Sequence, residues 1–251
     1  MSGQERWAAV RAKVAAIEAL GAPPRGVLPF GDPRVDGALP GVGLPLGRCH
    51  EAVGEGLEIE TAAAVAAFVA AVASPLASRG TVVWVMRRDD LYAPGLTGLG
   101  FPAERLIQVC VRDEAQALAA LEDALGARGI AAAIGETEAI DLTAGRRLQL
   151  ACEKNGATAF MIRRWPFGGR PRTEPSAATA TRWRIASAPS APQSGQRGLG
   201  PPRWRVRLER CRGGRTGAWT MEKVDGAYPL RVVAELGDRQ LETAQFLRLA
   251  G

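Results

Sequence analysis

The chain has 251 residues, a formal net charge of +6 at neutral pH, four cysteines and one histidine. An apolar content of 47% with 23% charged residues is typical of a soluble globular protein with one good core. The scattered cysteines and the single histidine argue against a zinc site and a disulfide scaffold, and they fit a reducing cytoplasm. We find no secretion signal at the N-terminus and no apolar stretch long enough to span a bilayer, so we expect no membrane association.

The charge is unevenly distributed. Residues 163–215 contain 13 arginines and only two acids, Glu174 and Glu209, whereas the rest of the chain has more acids than bases. This asymmetry points to a polyanionic partner for the C-terminal third of the chain. The alternative is a solvated surface in an organism of high GC content, which would replace lysine by arginine throughout the chain. This bias explains the choice of arginine over lysine but not the local scarcity of acids.

The chain begins with a predicted amphipathic helix over residues 5–20, which places Trp7, Val10, Val14 and Ile17 on one stripe. An extended lead-in rich in glycine and proline follows over residues 27–47. Apolar strands then alternate with helices until residue 165. The strands are predicted at 47–53, 81–87, 105–111, 130–135 and 157–165, and the helices at 62–77, 113–129 and 141–156.

This alternation predicts a mostly parallel sheet with helices on both faces. The remaining strands, at 180–187, 203–210 and 219–224, alternate polar and apolar residues, as half-exposed antiparallel strands do. We expect a flexible connector at about 188–202 and a last strand at 228–234. The domain organisation is therefore an N-terminal helix and linker (1–26), a core (27–234) and a C-terminal tail (235–251).

The stretch "GEGLEIET" (54–61) lies between a predicted strand and an alanine-rich helix, where a nucleotide-binding protein carries its phosphate-binding loop. Such a loop needs glycines, a lysine and a Ser or Thr. Gly54 and Thr61 are present, but Ile59 and Glu60 stand where glycine and lysine are needed. The residues leave open whether the loop is a degenerate phosphate site or was never one.

The order of elements resembles the core of RecA. Two stretches, "DDLYAPGLTGLGFPAERLI" (89–107) and "GETEAIDLTAGRRLQLACEKNGA" (135–157), resemble the bacterial ImuA family more specifically. These are RecA-like proteins of damage-inducible mutagenesis cassettes. The resemblance covers residues 5–235 and implies a RecA-like α/β fold with antiparallel strands added towards the C-terminus.

Carried over residue by residue, the resemblance places the phosphate-binding lysine on Glu60, the preceding glycine on Ile59 and the catalytic carboxylate on Arg88. A shifted register would put Asp89 at that last position. Glu136 falls on the metal-supporting carboxylate, and Arg164 falls on the residue that couples nucleotide to DNA. We therefore expect a vestigial site that does not hydrolyse ATP, with no catalytic residue, no cofactor and no metal.

The resemblance also implies partners. These are an ImuB-type protein, which is an inactive Y-family polymerase homologue, together with an error-prone replicative-type polymerase and RecA itself. It implies a non-enzymatic adaptor in translesion synthesis and SOS mutagenesis, associated with the nucleoid after DNA damage. Candidate docking residues are those of the N-terminal stripe and three apolar residues of the tail, namely Trp7, Val10, Val14, Ile17, Phe246, Leu247 and Leu249. Alternatively, the helix folds back on its own domain and the tail is a final packed helix.

Two basic segments are candidates for direct binding of single-stranded DNA. They offer arginines for phosphates and aromatic rings for stacking. The residues are Arg163, Arg164, Trp165, Phe167, Arg170 and Arg172 in the first segment and Arg203, Arg205 and Arg207 in the second. The alternatives are a basic loop that contacts an acidic protein and a merely solvated arginine face. At the level of the whole protein, the alternatives are a stand-alone single-stranded-DNA-binding protein and an SOS cell-division inhibitor.

Overall fold

A computed structural model describes residues 25–165, 179–190, 192, 198–226 and 228–235 of the chain. The predictions for the N-terminal stripe, for the tail and for one part of the first basic segment lie outside these residues. The positions concerned are Trp7, Val10, Val14, Ile17, Phe167, Arg170, Arg172, Phe246, Leu247 and Leu249.

A nine-stranded sheet forms the centre of the described structure, and its strand order is β11-β10-β9-β8-β3-β7-β6-β4-β5. The strands are β3 (Cys49–Gly54), β4 (Thr81–Met86), β5 (Leu106–Cys110), β6 (Ile130–Thr137), β7 (Thr158–Arg163), β8 (Thr181–Ala188), β9 (Arg203–Cys211), β10 (Gly217–Lys223) and β11 (Leu230–Glu235). In the lead-in, β1 (Val27–Leu28) and β2 (Leu44–Pro45) form a separate antiparallel pair.

Five helices accompany the strands in the described part of the chain. They are α1 (Pro33–Asp36), α2 (Glu58–Ala73), α3 (Ala93–Thr97), α4 (Glu114–Gly126) and α5 (Leu142–Asn155), with short 3-10 turns at Ser74–Ser78 and Ala103–Arg105. The six strands from β8 to β5 are parallel, whereas β9, β10 and β11 add to β8 in antiparallel pairs. The predicted fold class, a mostly parallel α/β sheet extended by antiparallel strands, is confirmed.

The sheet buries its two faces differently. One face packs along its whole width against α2 and the lead-in, where Phe68 of α2 meets Trp183 of β8 and Trp204 of β9. The other face packs against α4 and α5, with Leu121 and Leu148 fully buried. This second cluster draws its strand residues from the parallel half of the sheet.

Helix ends follow the capping residues that the sequence shows. Asp113 accepts the Gln116 backbone N–H at 2.8 Å, and Asp141 accepts that of Ala144 at 2.7 Å. Helix α5 ends at Gly156, whose φ of 81° is a left-handed conformation that glycine adopts without strain. The predicted starts of both helices and the stop at Gly156 are thereby confirmed.

Helix α2 and the turn after it form one apolar helical run, Glu58–Ser78, of 21 residues. By length and composition alone this run could cross a membrane, which corrects the expectation that no stretch is long enough. However, 61% of its apolar window is buried inside the protein. Its packing against the sheet is that of a core helix.

Candidate functional site

Four charged side chains converge at the carboxyl ends of the parallel strands, which is the edge where open α/β sheets bind their ligands. Glu58 lies in the first turn of α2, Asp90 follows β4, Glu136 lies near the end of β6 and Arg164 directly follows β7. We call these four residues the Arg164 cluster. The resemblance to RecA predicts the vestigial nucleotide site at this edge.

Arg164 lies at the centre of the cluster and contacts all three carboxylates. Its Nε donates to Glu58 Oε1 at 2.8 Å, and its Nη1 donates to Glu136 Oε2 at 2.7 Å. Asp90 receives a two-pronged contact, from Nη1 at 3.0 Å and from Nη2 at 2.9 Å. Such bidentate arginine–carboxylate pairs are among the strongest polar contacts in proteins. Four of the five guanidinium N–H groups of Arg164 are therefore engaged inside the protein.

Glu136 is the most deeply buried member, with 3% of its side chain exposed. Its second oxygen accepts the indole N–H of Trp84 at 3.0 Å, so both oxygens are occupied. Burial raises the pKa of Glu136, while the charge of Arg164 and the bond from Trp84 oppose that rise. The hydrogen bond from Arg164 lowers the pKa of Asp90. Burial disfavours the charge on Arg164, but its contacts with Asp90, Glu136 and Glu58 raise its pKa overall.

The electrostatics of this edge disfavour a phosphate. Three carboxylates surround one guanidinium, and Arg88 adds a single further cation near Asp90, at 3.7 Å between Nε and Oδ2. Two like charges about 4 Å apart repel by ~4 kcal/mol at an effective dielectric near 20. A triphosphate brought here would meet an acidic cluster whose one central cation is already paired.

The loop before α2 is likewise engaged with itself. The carboxylate of Glu60, at the position of the missing lysine, accepts the backbone N–H of Leu57 at 3.4 Å. The Thr61 hydroxyl donates to the Leu57 carbonyl oxygen at 2.9 Å, and Ile59 is 91% exposed. Glu60 thus places a negative charge on the helix N-terminus where phosphate would bind.

Gly54 has a packing role in this loop. A Cβ at this position would lie 2.1 Å from Thr61 Oγ1, closer than any real contact. The glycine and the threonine that survive from the phosphate-loop pattern therefore hold the strand against the helix.

A shifted register placed Asp89 at the position of the catalytic carboxylate. In the structure the acid that turns inwards is the next residue, Asp90. Arg88 is 58% exposed, and Asp89 is exposed too, while Asp90 turns in to Arg164. Asp90 and Glu136, the two acids that turn inwards at this strand end, are both bound to Arg164. Glu58 and Asp90 are the members of the cluster that sequence reasoning missed. The signal available was an arginine directly after a buried strand, which requires counterions.

Arg163, Arg164 and Trp165 correct the expectation of a DNA-binding loop that begins at residue 163. Their exposures are 3%, 8% and 8%, so all three lie in the interior. Arg163 donates to Glu51 Oε1 at 3.0 Å and to the Glu138 carbonyl at 2.8 Å, and its guanidinium lies 5.5 Å from the Trp165 ring centre. Because these groups are paired and covered, we no longer assign them phosphate or base contacts.

The three arginines of β9 lie on one strand face, as the alternation predicted. Trp204, Val206 and Leu208, on the opposite face, are core residues. Arg205 and Arg207 are exposed, and Arg203 is half-buried beside Glu222.

Cys49 and His50 form no catalytic pair, because the strand turns them to opposite faces. Burial raises the pKa of the Cys49 thiol well above its ordinary value. Burial lowers the pKa of His50 to about 4, and its two ring nitrogens lie 2.8 Å from Thr181 Oγ1 and the Pro45 carbonyl oxygen. Both residues therefore act as core residues.

Comparison with known proteins identifies the relatives of this chain. No family model matches it. The protein ImuA of Caulobacter vibrioides, recorded for two strains, is 56% identical over 237 residues. The match covers 91% of this chain and 97% of the relative. At this identity and coverage, the chain belongs to the ImuA family.

Proposed function

We propose that this chain is a non-catalytic RecA-like accessory protein of translesion DNA synthesis and SOS mutagenesis. In this role it is an adaptor between an ImuB-type inactive polymerase homologue and an error-prone polymerase, working in the cytoplasm and at the nucleoid after DNA damage. Membership of the ImuA family supports the connection with the mutagenesis cassette. The chemistry of the Arg164 cluster supports the proposed lack of catalysis.

The observation that carries the proposal is the engagement of Arg164 by three carboxylates at the ligand edge of the sheet. A nucleotide would have to break these contacts and leave Glu136 buried without its cation. Removing one partner of a buried ion pair lowers the free energy of unfolding by about 3–5 kcal/mol, because the other charge stays buried without a counterion. The Glu60 carboxylate adds repulsion where a lysine would attract. Both effects oppose nucleotide binding and hydrolysis.

An adaptor needs docking surfaces instead of a reactive centre. We propose the C-terminal tail, with Phe246, Leu247 and Leu249, as the first docking segment for the ImuB-type partner. The N-terminal stripe, formed by Trp7, Val10, Val14 and Ile17, is the second candidate and would also suit contact with RecA. Both are short apolar segments of the kind that fold against a partner groove.

Addition of ATP with magnesium is expected to leave the melting temperature of the protein unchanged. A ligand present at 100 times its dissociation constant stabilises the folded state by about 2.7 kcal/mol, which a thermal-shift assay detects easily. The matched comparison is the Glu60→Lys variant, which removes the acid from the loop but keeps the Arg164 cluster. Because the cluster alone opposes the nucleotide, we expect no shift for this variant either.

A melting-temperature rise of the wild-type protein at millimolar ATP would contradict the proposal. DNA-stimulated release of phosphate that is lost in Glu136→Gln would contradict it more strongly, because it would assign Glu136 a catalytic role.

A further inference from the structure

The antiparallel end of the sheet has one face that no described helix covers. Helices α4 and α5 pack on the parallel half only, and in the described part of the chain the second core cluster contains no residue from β8 to β11. The opposite face of the same strands is buried under α2 and carries Trp183, Trp204 and Trp219. Among the described residues, this face is therefore an extended surface of four strands.

Arginines dominate this surface. The register of the strands places Arg182 and Arg184 of β8, Arg203, Arg205, Arg207 and Arg210 of β9, and Arg231 of β11 on it. We call these seven residues the arginine face. Small side chains, Ala186, Ala188 and Ala218, lie between them along the same register. Three of the seven arginines are exposed and four are half-buried; the exposed ones are Arg205, Arg207 and Arg231.

Two cross-strand pairs on this face bring like charges directly opposite each other. Arg184 pairs in register with Arg207, and Arg182 pairs with Arg210. Like charges in this position destabilise a sheet. The pKa of Arg210 is lowered. The largest cause is burial, and repulsion from Arg212 and from Arg182 also lowers it. The folded protein therefore retains repulsion between these arginines, and a bound anion would reduce it.

Acids on the face compensate only part of this charge. Glu51 accepts from Arg182 at 3.0 Å, Glu209 from Arg184 at 3.3 Å, and Glu222 is shared by Arg203 and Arg231. Glu55 lies 3.7 Å from Arg205. No carboxylate of the described residues pairs with Arg207. This arginine is exposed and lies on β9, one of the two inner strands of the face. A surplus of positive charge remains at its centre.

The segments outside the described residues have no surplus of acids in their sequence. Residues 1–24 contain three basic and two acidic side chains, and residues 166–178 contain two and one. Residues 193–197 add one arginine, and residues 236–251 contain two of each sign. Because none of these segments has an acidic surplus, their composition favours an external polyanion as the complement of the arginine face.

We propose that the arginine face binds the phosphodiester backbone of nucleic acid, independently of base sequence. A regular array of guanidiniums suits a regular row of phosphates, because arginine recognises phosphate with two parallel hydrogen bonds. All aromatic side chains of β8 to β11 are tryptophans on the buried face, so the surface offers no platform for base stacking. The contact is therefore electrostatic and salt-dependent. None of the seven arginines belongs to the proposed adaptor segments or to the Arg164 cluster.

The test is fluorescence anisotropy with a labelled random-sequence oligonucleotide, single-stranded in one arm and duplex in the other, titrated with the full chain at several salt concentrations. The variant Arg184→Gln/Arg207→Gln should bind the oligonucleotide at least about tenfold more weakly. Its slope of log affinity against log salt should fall by about 0.7 per lost contact for single strands and about 0.9 for duplex.

The matched control is Arg79→Gln/Arg146→Gln, which removes the same charge from two exposed arginines off the face. This control should keep the wild-type slope. Circular dichroism and melting temperature establish that each variant is folded. If Arg184→Gln/Arg207→Gln does not fold, Arg205→Gln/Arg207→Gln takes its place, because Arg205 has only the loose contact with Glu55.

Wild-type protein that fails to bind either oligonucleotide at low salt overturns the proposal. Equal weakening by the control overturns it too, because binding would then follow net charge and not this face. A third contrary result is tighter binding to labelled polyglutamate than to DNA with the same loss in the variant, which would assign the face to an acidic protein. Binding to either form of DNA that depends on Arg184 and Arg207 supports it.

Discussion

The Arg164→Met variant is expected to lower the free energy of unfolding by about 3–5 kcal/mol. Methionine keeps much of the side-chain stem but removes the guanidinium that neutralises Glu58, Asp90 and Glu136. Glu136, at 3% exposure, would be left as a buried charge with only the Trp84 N–H as a partner. Chemical denaturation followed by circular dichroism measures the loss.

Two further variants separate charge from packing. Arg147→Met removes a guanidinium from an exposed pair with Glu122, where the arginine side chain is 64% exposed. Exposed pairs contribute about 0–1 kcal/mol, so this control should change little. Adding Glu136→Gln to Arg164→Met removes the buried, unpaired charge of Glu136 and should restore part of the stability. A small effect of Arg164→Met, or no rescue by Glu136→Gln, would contradict the structural role of the cluster.

The same variant has an expected pH dependence. Burial raises the pKa of Glu136 already in the wild-type protein, and removal of Arg164 takes away the charge that opposes this rise. An acid with a raised folded-state pKa destabilises the fold above that pKa and ceases to do so as it becomes protonated. The difference in stability between the wild-type protein and Arg164→Met should therefore shrink as the pH falls from about 8 towards about 5.

The α/β core could be predicted from the sequence because its signals are local. Continuous apolar strands, helices opened by Asp113 and Asp141, and the stop at Gly156 each act within a few residues. That the loop over residues 54–61 lacks phosphate-binding chemistry stays a prediction, which rests on Ile59 and Glu60 in place of glycine and lysine. The boundaries of the N-terminal and tail segments remain predictions.

The environment of Arg163 and Arg164 could not be predicted in the same way. Their counterions come from far along the chain, with Glu51 112 residues and Glu58 106 residues away. A basic pair next to a tryptophan and a glycine-rich stretch is also typical of a nucleic-acid-binding loop. These arginines meet carboxylates because β3, β7 and β6 lie side by side in the sheet. The local sequence does not show this order.

Strand β9 shows the converse case. Its alternation correctly separated Arg203, Arg205 and Arg207 from the core residues between them. It could not show that β8 would place Arg184 directly opposite Arg207, because register depends on the pairing of distant strands. The arginine face is therefore a property of the sheet and not of one strand.

Truncation after Glu235 is expected to abolish capture of the ImuB-type partner while the core stays folded. The last described strand, β11, ends at Glu235, and the last described member of the core clusters is Val232. The apolar residues beyond it have only weak helical periodicity, which favours a segment that orders on a partner. Loss of anchoring side chains from an interface typically costs about 2 kcal/mol or more each. A pull-down with the purified partner should fall to background, with circular dichroism and melting temperature nearly unchanged.

Point variants in the full chain refine this test. Phe246→Ala/Leu247→Ala should weaken partner binding by about 30-fold or more, the equivalent of one 2 kcal/mol anchor. Thr243→Ala/Gln245→Ala, in the same segment but polar, should not. A truncated protein that melts markedly lower would show instead that the tail is part of the fold. The docking surface would then have to be sought in the N-terminal stripe, where Trp7→Ala and Val14→Ala provide the next comparison.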